Sequence, residues 1–420
     1  MSNLITKVSR NSSLKKAWFN IKHRPDSRGL DRVTIDEFES NLSDELSRLR
    51  QNLLSGRYKF TPLKGVAIDK ESGAGKRPLK VPAVRDRVIQ KSIELVIRPF
   101  IKRKYKIENP ASFAYIRNRS VEDAIKKIIQ FRKEGYGWVY KADIEKFFDT
   151  VDVNLLLNEL IYPCLPDDSL NQIIKDALTI ELGNVEALEK AKVYDIFPGS
   201  GIPQGGTLSP LFANVYLNPF DMEMLGNDYK LVRYADDLIV LCKDESEAKN
   251  ADALARRIIE KDLKLKIHPT KIGKPRGKEK NSHIMPAKEF EFLGIRFQGS
   301  KIYPAPSKFE KVVSKIKMQA KNPEDFNLIG RLNYLKSIVE RWGANYHYTD
   351  YDKALYAGLD KHLEIVVRQM FINSGYEFSK KITPEDSLKK VGLITFKQSL
   401  NHYKGLIAYR REARKKTAGS

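Results

Sequence analysis

Apolar residues recur at helical spacing through much of the first hundred positions of the chain. The segment "TIDEFESNLSDELSRLRQNLLSG" has this spacing and stops at a glycine, Gly56. A second amphipathic helix is predicted for "VRDRVIQKSIELVIRPFIKRKY". Between the two lies "AIDKESGAGKRPLKVP", which has the glycine-containing turn of a short basic hairpin. The N-terminal part is therefore predicted to be mainly helical with one small sheet.

The middle third of the chain alternates strand-like and helix-like patterns. A strand is predicted for "WVYKADIEKFF" and a hairpin for "YKLVRYADDLIVLC". Helices are predicted for "VDVNLLLNELIYPCL", "TLSPLFANVYLNPFDMEML" and "SEAKNADALARRIIEKDL". Strands separated by helices predict an α/β sheet with helices on one face. After "FEFLGIRF" the pattern becomes helical again, as in "KFEKVVSKIKMQA" and "LIGRLNYLKSIVERWGANY".

Composition adds a strong positive charge to this picture. The chain has 75 Lys and Arg against 53 Asp and Glu, a formal net charge of +22. Such an excess is typical of proteins that bind nucleic acid, and no apolar run approaches the ~20 residues of a membrane span. The N-terminus has no apolar signal core, so a cytoplasmic location is expected. Two cysteines, Cys164 and Cys242, are interpreted as buried small hydrophobes.

Three acidic residues stand at the ends of predicted strands. Asp236 and Asp237 occupy the tip of the predicted hairpin, and Asp143 ends another apolar strand. An isolated Asp-Asp pair is more often a solvated turn, but three acids converging on one sheet edge repel one another without a cation. Oxygen ligands of this kind suit Mg²⁺, and two such ions about 4 Å apart serve phosphoryl transfer. This spacing alone does not separate a polymerase from a nuclease.

Longer motifs surround these acids. In chain order they are "RPLKVPAVRDRVIQKSIELVI", "KADIEKFFD", "GIPQGGTLSPLFANVYLNPFD", "LVRYADDLIVL", "HPTK", "FEFLGIRF" and "LIGRLNYLKSIVERWGANYHYTDYDKALYAGLDKHL". Together they resemble reverse transcriptases, particularly the bacterial group II intron-type branch, over roughly residues 60–370. The resemblance implies an α+β right-hand polymerase fold whose palm is an antiparallel or mixed sheet with helices on one face. The expected domains are fingers 1–110, palm 111–300 with part of the fingers inserted, helical thumb 301–370, and a C-terminal helical extension with a basic tail 371–420.

The resemblance implies a role for each acid. Asp143, Asp236 and Asp237 would be metal ligands, assisted by the backbone carbonyl of Ile144. The expected cofactor is a pair of Mg²⁺ ions, for which Mn²⁺ is an expected substitute. Lys271 would donate a proton to the pyrophosphate leaving group, and a plain surface lysine in a basic loop is the alternative.

Contacts to nucleotide and nucleic acid are implied in the same way. The residues expected at the incoming dNTP are Lys70, Lys76, Arg77, Ile144, Phe148, Gln204 and Gly205. Because "ESGAGK" is one residue longer than the family's usual spacing, Lys76 is an alternative to Arg77. Phe148 would exclude a 2′-hydroxyl, unless it is a core aromatic beside Phe147. The residues expected at the primer and template are Phe292, Leu293, Gly294, Lys308, Lys311 and Lys315, with an edge strand and a solvated charge run as alternatives.

The activity implied is an RNA-directed DNA polymerase that extends a primer with dNTPs. "SFAYIRNRS" at positions 112–120 replaces the family's Gly-Phe-Arg-Pro-Gly-Arg-Ser, and the C-terminal region shows no nuclease-like His/Cys spacing. We therefore expect a compact free-standing branch without an endonuclease domain, similar to domesticated, defence-associated reverse transcriptases that copy a dedicated non-coding RNA. Expected partners are the RNA template, the DNA primer and product, and dNTP, but no membrane. A homo-oligomer or a partner protein is left open.

Three other functions are weighed against this one. The first is an RNA-binding maturase or scaffold, which would not need the mutually repelling acids. The second is an RNA-dependent RNA polymerase, which Phe148 argues against. The third is an untemplated or protein-primed DNA polymerase, for which many tyrosines are available and none stands out.

Overall fold

The computed structural model describes residues 3–23, 28–69, 75–275, 280–321, 327–375 and 384–418. The chain divides into two compact units, Met1–Pro286 and Ala287–Ser420, called here the N-terminal and C-terminal units. None of the described helices combines the length and apolar character that crossing a membrane requires.

The described residues form both strands and helices in each unit. The strands are β1 Lys64–Asp69, β2 Lys76–Val81, β3 Trp138–Asp143, β4 Lys230–Tyr234, β5 Asp237–Cys242, β6 Thr270–Ile272, β7 Ser282–Pro286, β8 Glu289–Phe292, β9 Ile295–Gln298 and β10 Lys301–Pro304. The α-helices of the N-terminal unit are α1 Leu4–Val8, α2 Asn11–Ile21, α3 Ile35–Ser40, α4 Leu42–Leu54, α5 Val84–Lys104, α6 Val121–Lys133, α7 Phe147–Thr150, α8 Val153–Leu155, α9 Asn171–Leu178, α10 Val185–Lys190, α11 Ser209–Tyr216, α12 Asn218–Gly226 and α13 Glu245–Arg256. The α-helices of the C-terminal unit are α14 Pro306–Met318, α15 Leu328–Tyr346, α16 Lys353–Asn373, α17 Pro384–Lys390 and α18 Phe396–Ala418. The π-helical turns are Leu156–Ile161 and Arg257–Asp262, and the 3₁₀ turns are Tyr162–Cys164, Tyr194–Ile196 and Gln319–Lys321.

A five-stranded mixed sheet in the order β4-β5-β3-β7-β6 forms the centre of the N-terminal unit. All its pairings are antiparallel except that of β6 with β7. Leu238 to Cys242 of β5 are fully buried, as expected of a central strand covered on both faces. The helix α13 packs against β3, β5 and β7. This mixed sheet with its packed helices confirms the expected α+β fold class.

Two predicted helices are each divided in the structure. The predicted helix near residues 34–56 becomes α3 and α4, because Asn41 leaves the helical conformation (φ −114°, ψ 22°). The predicted helix near 207–225 becomes α11 and α12, which meet at Leu217. Pro219 lies in the first turn of α12, and its missing N–H cannot continue the hydrogen-bond ladder of the preceding helix.

The small basic hairpin is confirmed as β1 and β2, which pair antiparallel from Lys64 opposite Val81 to Asp69 opposite Lys76. The long helix α5 follows at once, and its buried residues pack with those of α2. This part of the N-terminal unit is mainly helical with one two-stranded sheet, as its sequence pattern predicts.

The C-terminal unit contains a three-stranded antiparallel sheet, in the order β10-β9-β8, and a helical core. The strand β10 is not predicted from the sequence pattern, because it is short and ends at Pro304. The helices α14, α15 and α16 share a core with α18 around the buried residues Leu335, Trp342, Tyr356 and Phe396. Within this core the ring of Trp342 packs on Tyr346, Tyr356 and Phe396.

Candidate active site

The acidic hairpin of the N-terminal unit is formed by β4 and β5. Tyr234 pairs with Asp237 across the hairpin, so Ala235 and Asp236 form a two-residue turn. On its other side Asp237 pairs with Asp143, the last residue of β3. Ala235 has a positive φ of 59°, which is uncommon for a residue with a Cβ but is the conformation that a two-residue hairpin turn favours. Pairing of β3 with β5 therefore places Asp143 beside the Asp236–Asp237 pair.

A buried ion pair supports this turn. Arg233 and Asp221 are both inaccessible to solvent. The Nε and Nη2 groups of Arg233 donate to Oδ1 and Oδ2 of Asp221, each at 2.6 Å. Nη1 donates to the carbonyl oxygen of Ala235 at 3.0 Å and to Oδ1 of Asn214 at 3.1 Å, and Nη2 also donates to Ser112 Oγ at 3.0 Å. The charge of the guanidinium is thus paired with Asp221, while the same group holds the backbone of the acidic turn.

Desolvation and repulsion by neighbouring acids raise the pKa of both adjacent carboxyls. The pKa of Asp237 rises to about 6, mainly through desolvation and then through the charge of Asp236. The pKa of Asp236 is also raised, again mainly by desolvation, while Arg77 opposes the rise. Asp143 contributes repulsion to both groups. The surroundings therefore disfavour two ionised carboxylates, and a bound cation would reverse that preference.

Hard oxygen donors in this electrostatic setting fit a divalent cation such as Mg²⁺. Asp143, Asp236 and Asp237 lie on one edge of the sheet. Among the residues that the structure describes, no three His, Cys, Asp or Glu side chains are gathered closely enough to hold an ion as they stand. Binding an ion here would therefore require these side chains to turn toward a common point.

Cationic and imidazole side chains surround Asp143 and its neighbours. Lys280 Nζ and His268 Nε2 each lie 3.9 Å from Asp143 Oδ2. The backbone N–H of His268 donates to the carbonyl oxygen of Asp143 at 3.0 Å. Lys271 is an exposed residue of the short strand β6, where it pairs with His283. Lys280 thus lies beside one of the predicted metal ligands.

The predicted triphosphate ligands differ in their surroundings. Arg77 is close enough to lower the pKa of both Asp236 and Asp237. Lys76 instead lies 3.9 Å from Asp69, its partner across the β1–β2 hairpin. Lys70 lies outside the described residues. This placement favours Arg77 over Lys76 as the cation of the site.

The predicted nucleotide pocket follows β3 directly. Phe147 is buried, whereas Phe148 is only partly buried and packs at the margin of the core. The carbonyl oxygen of Phe148 accepts the N–H of Ile202 at 2.8 Å, which ties this turn to the "PQGG" loop. The side-chain roles of the two phenylalanines are therefore different: Phe147 fills the core, and Phe148 is accessible.

The "PQGG" loop also contacts the strand β2. Gln204 Nε2 donates to Asp149 Oδ1 at 3.2 Å. The backbone carbonyl oxygen of Gln204 accepts the N–H of Lys80 at 2.7 Å. Gly205 has a φ of 116°, and a Cβ there would lie 2.6 Å from the carbonyl oxygen of Lys80. Glycine is therefore required for this close approach. Ile144 is buried beside these elements and bridges to Ile267.

The predicted primer and template residues belong to the C-terminal unit. Leu293 and Gly294 form the β8–β9 turn with φ values of 50° and 75°. A Cβ on Gly294 would lie 2.5 Å from Cε of Lys308, so this lysine packs over the turn. Lys308, Lys311 and Lys315 all lie on α14, whereas Phe292 is buried in the sheet.

Sequence reasoning missed four neighbours of the acidic turn. They are Arg233, Asp221, Lys280 and Tyr115, on which the charge of Asp236 acts. A charged residue inside the apolar strand β4 was a usable signal, because a buried arginine needs an acidic partner. Lys280 and Tyr115 carry no comparable local signal.

A mixed sheet whose Asp-Asp hairpin adjoins a third strand ending in aspartate is the arrangement expected for the palm of a right-hand polymerase. The family model described as "Reverse transcriptase (RNA-dependent DNA polymerase)" matches residues 68–297, more than half of the 420-residue chain. The chain belongs to the reverse transcriptase family, whose members use divalent metal ions.

Curated relatives agree with this assignment. Protein YkfC of Escherichia coli (strain K12) is 32% identical over 198 residues, which is 46% of this chain and 49% of that protein. The group II intron-encoded protein LtrA of Lactococcus lactis subsp. cremoris is 29% identical over 208 residues, 49% of this chain and 32% of that protein. The chain thus spans half or less of the length of these relatives. The resemblance to group II intron-type reverse transcriptases is confirmed.

A likeness to solved structures is also found. One is a chain of a partial Cas6-RT-Cas1–Cas2 complex, with 25% sequence identity and a TM-score of 0.37. That likeness covers 62% of this chain and 43% of the other.

Proposed function

We propose that this chain is an RNA-directed DNA polymerase that extends a primer with dNTPs. The observation that carries this proposal is the pairing of Asp143 with Asp237, which puts three carboxylates on one sheet edge. Membership of the reverse transcriptase family supports the same activity. A protein that only bound RNA would have no use for acids whose repulsion raises their own pKa values.

Asp143, Asp236 and Asp237 would hold two Mg²⁺ ions, with the carbonyl of Ile144 as a further oxygen ligand. Bound Mg²⁺ supplies activation of the primer 3′-hydroxyl and neutralisation of charge on the leaving pyrophosphate. The chain itself supplies the positions of the carboxylates, through strand pairing and through the Arg233 contact to Ala235. Arg77, which acts electrostatically on the same acids, would bind the triphosphate.

Selection of the sugar would depend on Phe148. Its ring is partly accessible, whereas the neighbouring Phe147 is buried, and Gln204 donates to Asp149, the residue that follows Phe148. An aromatic ring in this position leaves no room for a 2′-hydroxyl and would favour deoxynucleotides. This feature supports DNA over RNA as the product.

The test is Mg²⁺-dependent incorporation of labelled dNTP on an RNA template with an annealed DNA primer. Wild type should extend the primer, and Asp236→Ala should reduce extension at least about 100-fold, since even outer partners of a metal site contribute 10- to 100-fold. Asp195→Ala is a matched control, because Asp195 is an exposed acid in a 3₁₀ turn. Binding of the primer–template should be retained in all three proteins.

A well-folded wild type that binds the duplex but never extends it would contradict the polymerase and favour a scaffold. Equal extension by wild type and Asp236→Ala would contradict the site. A dedicated non-coding RNA template, a role in phage defence, a partner protein or homo-oligomer, and a cytoplasmic location remain predictions of the sequence.

A further inference from the structure

The β1–β2 hairpin is held on both outer edges at the same level. Gly65 in β1 and Lys80 in β2 face each other across the hairpin. The N–H of Lys80 donates outward to the carbonyl oxygen of Gln204 at 2.7 Å. On the other edge, the N–H of Gly65 donates to Oδ1 of Asn184 at 2.7 Å, and Nδ2 of Asn184 donates to the carbonyl oxygen of Gly65 at 3.0 Å. The outward backbone groups of an edge strand are thus paired with a side-chain amide.

The segment before Asn184 explains how this amide reaches Gly65. Leu63 forms a parallel bridge with Leu182. The N–H of Leu63 donates to the carbonyl oxygen of Glu181 at 2.8 Å, and the N–H of Gly183 donates to the carbonyl oxygen of Leu63 at 2.9 Å. The next bonds of such a parallel ladder fall two residues further on. There the side chain of Asn184 makes them in place of the backbone.

This use of Asn184 differs from the ordinary one at its position. Asn184 directly precedes α10, where an asparagine side chain commonly accepts a hydrogen bond from the first turn of the helix. Here the carboxamide is directed at Gly65, which is buried. Loss of the carboxamide would take two hydrogen bonds from buried backbone groups, which is costly.

One face of the hairpin rests on the chain that follows Asn184. A Cβ on Gly65 would lie 2.6 Å from Cδ1 of Leu188 and 3.1 Å from Cε1 of Phe197. Nζ of Lys80 donates to the carbonyl oxygen of Pro198 at 2.8 Å. Residues directly opposite in an antiparallel pair project to the same face. Leu188, Phe197 and Pro198 therefore cover the face that carries Gly65 and Lys80.

Arg77 projects from the other face of the hairpin. Successive side chains of a strand alternate between faces, so Arg77, three residues before Lys80, points the opposite way. It is exposed, and its charge acts on Asp236 and Asp237. A hairpin of two strands is marginally stable by itself. The position of Arg77 relative to the acids therefore depends on the contacts that hold the rest of the hairpin.

We propose that Asn184 and Lys80 are positioning residues that hold the β1–β2 hairpin where Arg77 can bind the triphosphate of the incoming dNTP. The proposal rests on the polymerase function and on the role of Arg77 proposed above. Each of the two residues acts through the hairpin and not by touching the nucleotide. The affinity for dNTP then depends on the segment 181–198, outside the residues predicted to contact the nucleotide.

The first test is steady-state extension of an RNA–DNA primer–template, with KM for dNTP and kcat measured separately. Asn184→Leu removes both hydrogen bonds to Gly65 and keeps a side chain of similar size. Lys80→Met removes the bond to Pro198 and keeps the apolar stem. Asn227→Leu is the matched control, because Asn227 is an exposed asparagine whose amide bonds the last turn of α12.

We expect Asn184→Leu and Lys80→Met each to raise KM for dNTP at least about fivefold, the range in which remote residues couple to a binding site. We expect kcat to change by less than about twofold, because the acids keep their positions. The control should match wild type in both. A lower kcat with unchanged KM in both variants would overturn the proposal, since loss of folded protein reduces the number of active molecules and not their KM.

A double-mutant cycle tests whether the effect passes through Arg77. In an Arg77→Ala background, Asn184→Leu should change KM for dNTP by less than about twofold, because the cation that it positions is gone. The same fivefold rise in both backgrounds would overturn the proposal.

Amide hydrogen exchange tests the hold on the hairpin without primer or dNTP. Peptides from β1 and β2 should exchange at least about fivefold faster in Asn184→Leu than in wild type, the effect of losing one net hydrogen bond. Peptides from β5 should exchange at the wild-type rate. Wild-type exchange throughout the hairpin would overturn the proposal. If wild type extends no primer, the polymerase proposal fails and with it the link to dNTP, whereas the exchange rates still decide whether Asn184 holds the hairpin.

Discussion

Arg233 and Asp221 form a doubly hydrogen-bonded ion pair, sealed from solvent, whose arginine also donates to the backbone of the turn carrying Asp236. A buried charge pair adds little net stability compared with apolar residues, but loss of one partner is costly. Its position directly behind the acidic hairpin suits a role in orienting that turn.

Replacing Arg233 with lysine should therefore affect both stability and catalysis. Lysine keeps the charge but cannot reproduce the fork of donors to Asp221, Asn214 and Ala235. We expect the free energy of unfolding to fall by about 3 kcal/mol, and kcat to fall more than the KM for dNTP changes. Urea denaturation and steady-state primer extension measure the two effects.

The control for this variant is Lys249→Ala, which removes an exposed ion pair with Glu245 on α13. Exposed pairs of this kind contribute less than about 1 kcal/mol. If Arg233→Lys were as stable and as active as that control, the orienting role would be wrong.

Phe148→Ala should admit ribonucleotides. Removal of the accessible ring opens space for a 2′-hydroxyl, so discrimination between dNTP and rNTP in kcat/KM should fall at least about tenfold. Phe147→Leu is the matched comparison, because Phe147 is buried. It should lower stability and leave sugar discrimination unchanged. If Phe148→Ala discriminated between dNTP and rNTP as well as wild type does, Phe148 would have only a packing role.

Two lysines compete for the role of cation or proton donor at the leaving group. Both side chains are exposed, but Lys280 lies 3.9 Å from Asp143, whereas Lys271 lies on β6 opposite His283. We expect Lys280→Ala to lower kcat by at least about 100-fold, in the range of general acid catalysis, and Lys271→Ala to have a smaller effect. Single-turnover extension rates measure both. A larger loss of kcat in Lys271→Ala than in Lys280→Ala would instead assign the role to Lys271, as its sequence motif predicts.

Stability should depend on pH through Asp86, which is fully buried. Its carboxylate accepts from Tyr58 Oη at 2.6 Å and from the N–H of Thr61 at 3.0 Å. Desolvation outweighs these bonds and raises its pKa from 3.8 to about 6. The folded state therefore binds this proton more tightly, and the group's stabilising contribution is complete below about pH 4 and lost as pH rises through 6.

The variant Asp86→Asn removes this titration. The free energy of unfolding of wild type relative to Asp86→Asn should decrease by roughly 2–3 kcal/mol between pH 4 and pH 7. Urea denaturation of both proteins at the two pH values measures the difference. Parallel pH profiles would show that Asp86 titrates alike in the folded and unfolded chains.

Short stretches of sequence were enough to predict the strands and the hairpin that carry the three acids. The β4–β5 hairpin and the strand ending at Asp143 follow from alternating or continuous apolar residues next to acids. The resemblance of the motifs predicted the family, and residues 68–297 confirm it. The roles of the individual side chains remain predictions.

Other features depend on contacts between distant segments. Asn41 ends a helix although the apolar spacing continues through it, because spacing does not encode a change in backbone direction. The loop of Tyr115 approaches the acids because Ser112 bridges to Arg233 of β4, far along the chain. Lys280 lies near Asp143, which is also distant in sequence. No short window of sequence contains either relationship.

The pairing of β3 with β5 also sets when the chain can act during its synthesis. Asp143 and Asp237 belong to segments that leave the ribosome far apart in time and become neighbours only when the two strands join. A nascent chain that ends before β5 has the first acid without its partners. The three acids can therefore become neighbours only after synthesis has passed β5 and the central sheet has been assembled.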